Sequence, residues 1–105
     1  MAIPIPNEVL VAASVAAAGS QAVTRPDGHH VHRFFISMSL AANVQIQASH
    51  DGLNWVDLLA AAITVPTIVE LDRPWRNLRA EWDTNTGTVT IGLERLYSNP
   101  NAQAV

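Results

Sequence analysis

Strict two-residue alternation is the feature that most limits what this chain can fold into. In "ANVQIQAS", Val44, Ile46 and Ala48 alternate with Asn43, Gln45, Gln47 and Ser49, and successive side chains of a strand point to opposite faces. The segment therefore reads as a strand with one apolar and one polar face. "HVHRFFISMSL" repeats the pattern, with His32, Phe34, Ile36, Met38 and Leu40 on the inward side. "EVLVAASVAAA" is rich enough in alanine for a helix, but Val9, Val11, Ala13 and Val15 alternate with the same period and favour a strand. "SQAVTR" and "TIVELD" add short strands, and "PDGHH" reads as a turn built on Pro26 and Gly28.

Between the alternating segments lies "SHDGLNW", residues 49 to 55. Asp51-Gly52 is a strong hairpin signal, and a two-residue turn there sets Ala48 opposite Trp55. On this reading Asp51 accepts backbone N–H groups, Gly52 takes a positive φ, and Trp55 anchors the return strand "NWVDLL" in the core. A second hairpin is expected around "TNTG", pairing Trp82 with Val89, Ala80 with Ile91 and Leu78 with Leu93, each pair apolar on both sides. Seven to eight short strands, tight turns and no helix predict an all-β chain, an antiparallel β-sandwich or jelly roll. Its expected organisation is an extended arm over residues 1 to 7, a sandwich over 8 to 97 and a polar tail over 98 to 105. Pro4 and Pro6 fix φ and remove backbone donors, so the arm does not start a helix.

Composition narrows the function. With 105 residues a single modest core is available. No cysteine is present, so disulfides and thiolate metal sites are ruled out. Only 14% of residues are charged while 49% are hydrophobic, against about 25% charged in an average domain. Much of that excess is alanine, yet it still predicts association with itself or with a larger body. A net charge of −3 without a basic cluster argues against binding nucleic acid or an anionic membrane. No run is long and apolar enough for a membrane helix, and "MAIPIPNEVL" lacks the basic flank and apolar centre of a secretory signal.

Four constellations could carry chemistry. Ser49, His50 and Asp51 contain the residue types of a triad, but neighbours on a hairpin tip diverge, whereas a triad must converge; the turn reading accounts for them better. His30 and His32 project from one face of a strand and could supply half of a metal site where copies meet on an axis; a polar strand entrance is the plainer account. Asp57, Glu70, Asp72, Glu81 and Asp83 are scattered, and nothing selects a catalytic pair. The cluster Arg73, Trp75, Arg76 and Arg79 could stack on a ligand, with Trp75 and Arg76 as contacts, or could brace a strand through Arg–Asp pairs. No cofactor and no small-molecule substrate are implied.

The stretch "VQIQASHDGLNWVDL", followed by "RPWRNLRAEW" and "TGTVTIGLERL", resembles the small β-sandwich virion proteins of tailed bacteriophages, over roughly residues 42 to 96. In such proteins an alternating strand enters a Ser-x-Asp-Gly-x-x-Trp hairpin, and a later strand carries Trp and Arg. The hairpin is also similar to that of carbohydrate-binding and adhesion sandwiches, and to the Asp-box of sialidase-like propellers, which has one more residue between its Asp and Gly. The phage resemblance implies a non-enzymatic capsid decoration, or cement, protein on the capsid surface of the virion. Its expected partners are the major capsid protein and other copies of itself, as a homotrimer, with Ile3, Pro4, Ile5 and Pro6 of the arm at the interface. The alternative is a carbohydrate-binding or adhesion module of a phage tail, fibre or baseplate.

Overall fold

The computed structural model describes residues 8–24, 26, 31–73 and 75–96. Eight strands follow one another: β1 (Glu8–Ser14), β2 (Gly19–Ala22), β3 (Val31–Met38), β4 (Asn43–Ser49), β5 (Val56–Asp57), β6 (Thr67–Leu71), β7 (Asn77–Asp83) and β8 (Val89–Leu96). They form two four-stranded antiparallel sheets, of order β1-β8-β3-β6 and β2-β7-β4-β5. The arm and the tail expected at residues 1 to 7 and 98 to 105 lie outside the described residues.

The pairing has a simple origin. Strand β1 pairs β8, β2 pairs β7, β3 pairs β6 and β4 pairs β5, as in one long hairpin doubled back on itself. Wrapping that hairpin brings β8 beside β3 and β7 beside β4. This is jelly-roll topology, one of the ways an antiparallel chain buries two apolar faces against each other.

The alternating segments supply those faces. Phe34, Ile36, Val69, Val89, Ile91 and Leu93 of the first sheet are buried, as are Val44, Ile46, Ala48, Leu78, Ala80 and Trp82 of the second. Full burial of a side chain such as Phe34, Ile46, Leu78 or Ile91 stabilises by roughly 1.5–3 kcal/mol each. The Trp82 indole donates its Nε1–H to the Ala16 carbonyl at 3.1 Å, which meets the requirement that a buried N–H find an acceptor. Gly19 lies opposite Trp82. A Cβ there would stand 2.6 Å from the indole Cζ2, so only glycine admits the ring.

Three sequence expectations are corrected. The hairpin around "TNTG" does not exist as a ladder: β7 and β8 belong to opposite sheets, and Leu78, Ala80 and Trp82 share with Leu93, Ile91 and Val89 only the core between them. Asn85 holds this crossing in place, its Nδ2 donating to the carbonyls of Ser14 at 3.2 Å and Ala16 at 2.9 Å. The register of the β4–β5 pair is also shifted by one residue, with Ala48 opposite Val56 instead of Trp55. Finally, β3 ends at Met38, which leaves Leu40 exposed instead of inward.

The loops gather at two ends. Backbone bonds from Asn85 to Ala17, Thr86 to Ala41 and Ser39 to Thr88 tie the β1–β2, β3–β4 and β7–β8 loops together at one. The β4–β5 and β6–β7 loops lie at the other, where β1 begins and β8 ends.

Candidate functional site

At this second end an open cleft of about 540 Å³ separates the β4–β5 loop from the β6–β7 loop. Ser49, His50 and Asp51 form one wall, Trp75 and Arg76 the other, and Val56 and Leu58 lie among its apolar surface. Two groups of residues singled out separately in the sequence, the turn and the Trp75–Arg76 pair, therefore line one concavity.

The turn is organised around Asp51. Its Oδ1 accepts the backbone N–H groups of Leu53 and Asn54, both at 2.8 Å, and the Ser49 hydroxyl at 3.0 Å. Its Oδ2 accepts the Asn54 side-chain amide at 2.7 Å. Such bonds favour the charged form, and those from Asn54, Leu53 and Ser49 hold the carboxyl far below the usual carboxylate range. Ser49 Oγ in turn accepts the Gly52 N–H at 2.8 Å, and Gly52 has a φ of 78°, a left-handed conformation open to glycine. From β7, Asn77 Nδ2 donates to the carbonyls of Ser49 at 3.1 Å and His50 at 3.4 Å. Asn77 was not singled out in the sequence; it is read only once β7 is known to lie beside β4.

Ser49, His50 and Asp51 are not arranged as nucleophile, base and orienting acid. The Ser49 hydroxyl is directed to Asp51, and no hydrogen bond among the described residues joins His50 to either. Asp51 is occupied by the turn on both oxygens, whereas a general base needs a free one.

Trp55 is displaced from its expected place. Because Ala48 pairs with Val56, the indole falls outside the core and carries the Arg79 guanidinium at 4.2 Å from its ring centroid. Arg79 Nε also donates to Gln47 Oε1 at 2.8 Å, spanning β7 and β4 on the outer face. Of the two readings open for the Arg73, Trp75, Arg76 and Arg79 cluster, a ligand stack or strand bracing, Arg79 shows the second in another form, stacked on Trp55 instead of Trp75 and bonded to Gln47 instead of an Asp. Trp75 packs its half-buried ring against the core, with its Nε1 buried and no acceptor among the described residues. Arg76 is exposed and makes no ion pair with a described residue.

The structural arginines are elsewhere. Arg33 of β3 bonds Glu70 of β6 and Glu94 of β8, each at 3.0 Å. Arg95 of β8 reaches both carboxylate oxygens of Glu8, at 2.8 and 2.9 Å, and also donates to the Thr24 carbonyl. The bidentate geometry suits a planar guanidinium.

His32 is wholly buried on the inner face of the first sheet, opposite Arg95. It therefore does not project outward toward an axis between copies. His30, its expected companion, and Ile3, Pro4, Ile5 and Pro6 lie outside the described residues. No group of three or more His, Cys, Asp and Glu side chains that could hold a metal ion occurs among the described residues.

Compared with known proteins, the chain matches no protein-family model, and no curated protein matches its sequence.

Proposed function

We propose that the chain is a non-enzymatic structural protein of a bacteriophage particle, a capsid decoration protein that binds the major capsid protein lattice from outside. The carrying observation is the character of its surface. Among the described residues Val9, Val15, Leu40, Leu53, Val56, Val65 and Ile68 are all at least 60% exposed. Isolated exposed apolar residues are ordinary, but so many on a small domain with few charges suit a protein selected for static contact. Among the described residues Arg33, Arg79 and Arg95 are committed to holding neighbouring strands together. The arm read from the sequence supports the same reading, because Ile3 and Ile5 are apolar and Pro4 and Pro6 disfavour a regular ladder, a character suited to contact with a neighbouring subunit.

The test is direct addition of purified protein to undecorated capsids. The expected result is ordered density on the shell by electron microscopy, weakened when residues 2 to 7 are deleted. Absence of density rejects the capsid reading.

The cleft favours a second reading, a carbohydrate-binding or adhesion module of a tail, fibre or baseplate. An indole wall, an exposed guanidinium and an open apolar floor can receive a sugar ring. A glycan array probed with wild type and Trp75→Ala separates the two, since a capsid protein gives no Trp75-dependent signal.

A further inference from the structure

The outer face of the first sheet carries an apolar row that crosses all four of its strands in register. Val9 of β1 lies opposite Gly92 of β8, Gly92 opposite Phe35 of β3, and Phe35 opposite Ile68 of β6. Their sequence neighbours Phe34, Ile36, Ile91, Leu93 and Val69 are buried, so the row itself points away from the core. Val9 is 67% and Ile68 60% exposed. Gly92 makes a dip in the row: a Cβ placed there meets nothing nearer than Phe35 Cβ at 3.6 Å and the Glu8 carbonyl at 3.8 Å. One step along the strands runs a charged row, Glu94, Arg33 and Glu70. One step the other way Ser37 lies opposite Thr90.

We propose that this face is a two-fold interface with a second copy of the chain, its axis running along the strands between β3 and β8. That operation lays β3 of one copy over β8 of the other and β1 over β6. Phe35 then enters the dip at Gly92 of the second copy, and Val9 meets Ile68. Arg33 faces Glu94, and Ser37 faces Thr90. Every row is complementary to itself under this rotation, as an isologous contact requires. A two-fold axis across the strands fails, because it sets Phe35 on Phe35 and leaves Gly92 over Gly92.

The geometry is that of two sheets stacked about 10 Å apart with nearly aligned strands. From strand spacing and rise the face covers roughly 500 Å² per copy. The total, roughly 1,000 Å², is at the lower bound for a specific interface and predicts a dissociation constant of about micromolar order. The proposal stands apart from the capsid reading and replaces its three-fold assembly with a two-fold one.

The chain has no cysteine, which makes cross-linking a clean test. Val9 and Ile68 stand on opposite edge strands, roughly 14 Å apart within one copy, beyond the reach of a disulfide. Across sheets about 10 Å apart the paired thiols also lie beyond a direct disulfide but within a bifunctional thiol reagent of roughly 5 Å span. With that reagent the double variant Val9→Cys, Ile68→Cys is expected to give covalent dimers, and either single variant to stay uncross-linked. Wild type at about 100 µM is expected to sediment as a dimer, and Gly92→Val to weaken that dimer at least about ten-fold while melting as wild type does. Arg33→Glu and Glu94→Arg, each monomeric alone, are expected to dimerise when mixed. A monomeric or trimeric wild type, a dimer indifferent to Gly92→Val, or cross-linking by a single variant overturns the proposal.

Discussion

Arg79 lies over Trp55, the guanidinium carbon 4.2 Å from the ring centroid. The stack joins the start of β5 to β7 across β4 and stands on the outer face, away from the core. Trp82, by contrast, is buried with its N–H satisfied by Ala16.

The two indoles should therefore differ sharply in importance. An exposed cation–π contact contributes about 0.5–1 kcal/mol, whereas truncating a buried Trp costs about 3–5 kcal/mol. Urea unfolding is expected to show about 1–2 kcal/mol lost in Trp55→Ala and several times more in Trp82→Ala. Equal losses would return Trp55 to the core.

Acid should act on the β4–β5 turn. Asp51 is held well below the ordinary carboxylate range by the N–H groups it accepts. Its contribution is therefore complete above about pH 4, the unfolded value, and is lost as pH falls through the depressed folded value. Melting temperature followed from pH 7 downward should fall less steeply in Asp51→Asn than in wild type, with the variant already less stable at neutral pH.

Glu81 has the opposite sign. Burial foremost, then the charges of Asp83 and Asp57, raise its carboxyl despite the counteracting Arg79. The folded state consequently carries a penalty above the ordinary carboxylate range that protonation relieves. Glu81→Gln is expected to melt higher than wild type at pH 7 and to lose that advantage as the pH is lowered.

Glycine positions give the most local check on packing. Gly19→Ala drives a methyl into the Trp82 ring and is expected to cost about 1–3 kcal/mol. Gly92→Ala meets only ordinary contacts and should stay within about 0.5 kcal/mol of wild type. Parallel thermal melts of the two variants suffice.

Much of the site's local chemistry was readable before its setting. "SHDGLN" contains the acceptor, the hydroxyl and the glycine that the turn uses, because those bonds reach only two or three residues along the chain. What was not readable is that Trp75 and Arg76 stand across a cleft from that turn. Between Asp51 and Trp75, 23 residues intervene, and only the packing of β6 and β7 against β3 and β4 brings them together.

Alternation by itself determined that this chain is built of strands and which side of most of them is buried. Phe34, Ile36, Val44, Ile46, Leu78, Ala80, Ile91 and Leu93 are inward, as the period requires. It could not determine partners. A residue points to the core equally well whether its strand pairs with the next in sequence or lies in the sheet opposite, so Leu78, Ala80 and Trp82 fit Leu93, Ile91 and Val89 both as a hairpin and across a sandwich. The tertiary structure chose the second arrangement, because only the doubled, wrapped chain closes both apolar faces on one core and gives β7 and β8 two hydrogen-bonded neighbours each. The one-residue shift that expelled Trp55 has a similar origin: the loop between Ser49 and Val56 satisfies its own polar groups through Asp51 and Asn77, and that local bonding, not the hydrophobicity of the indole, set where β5 begins.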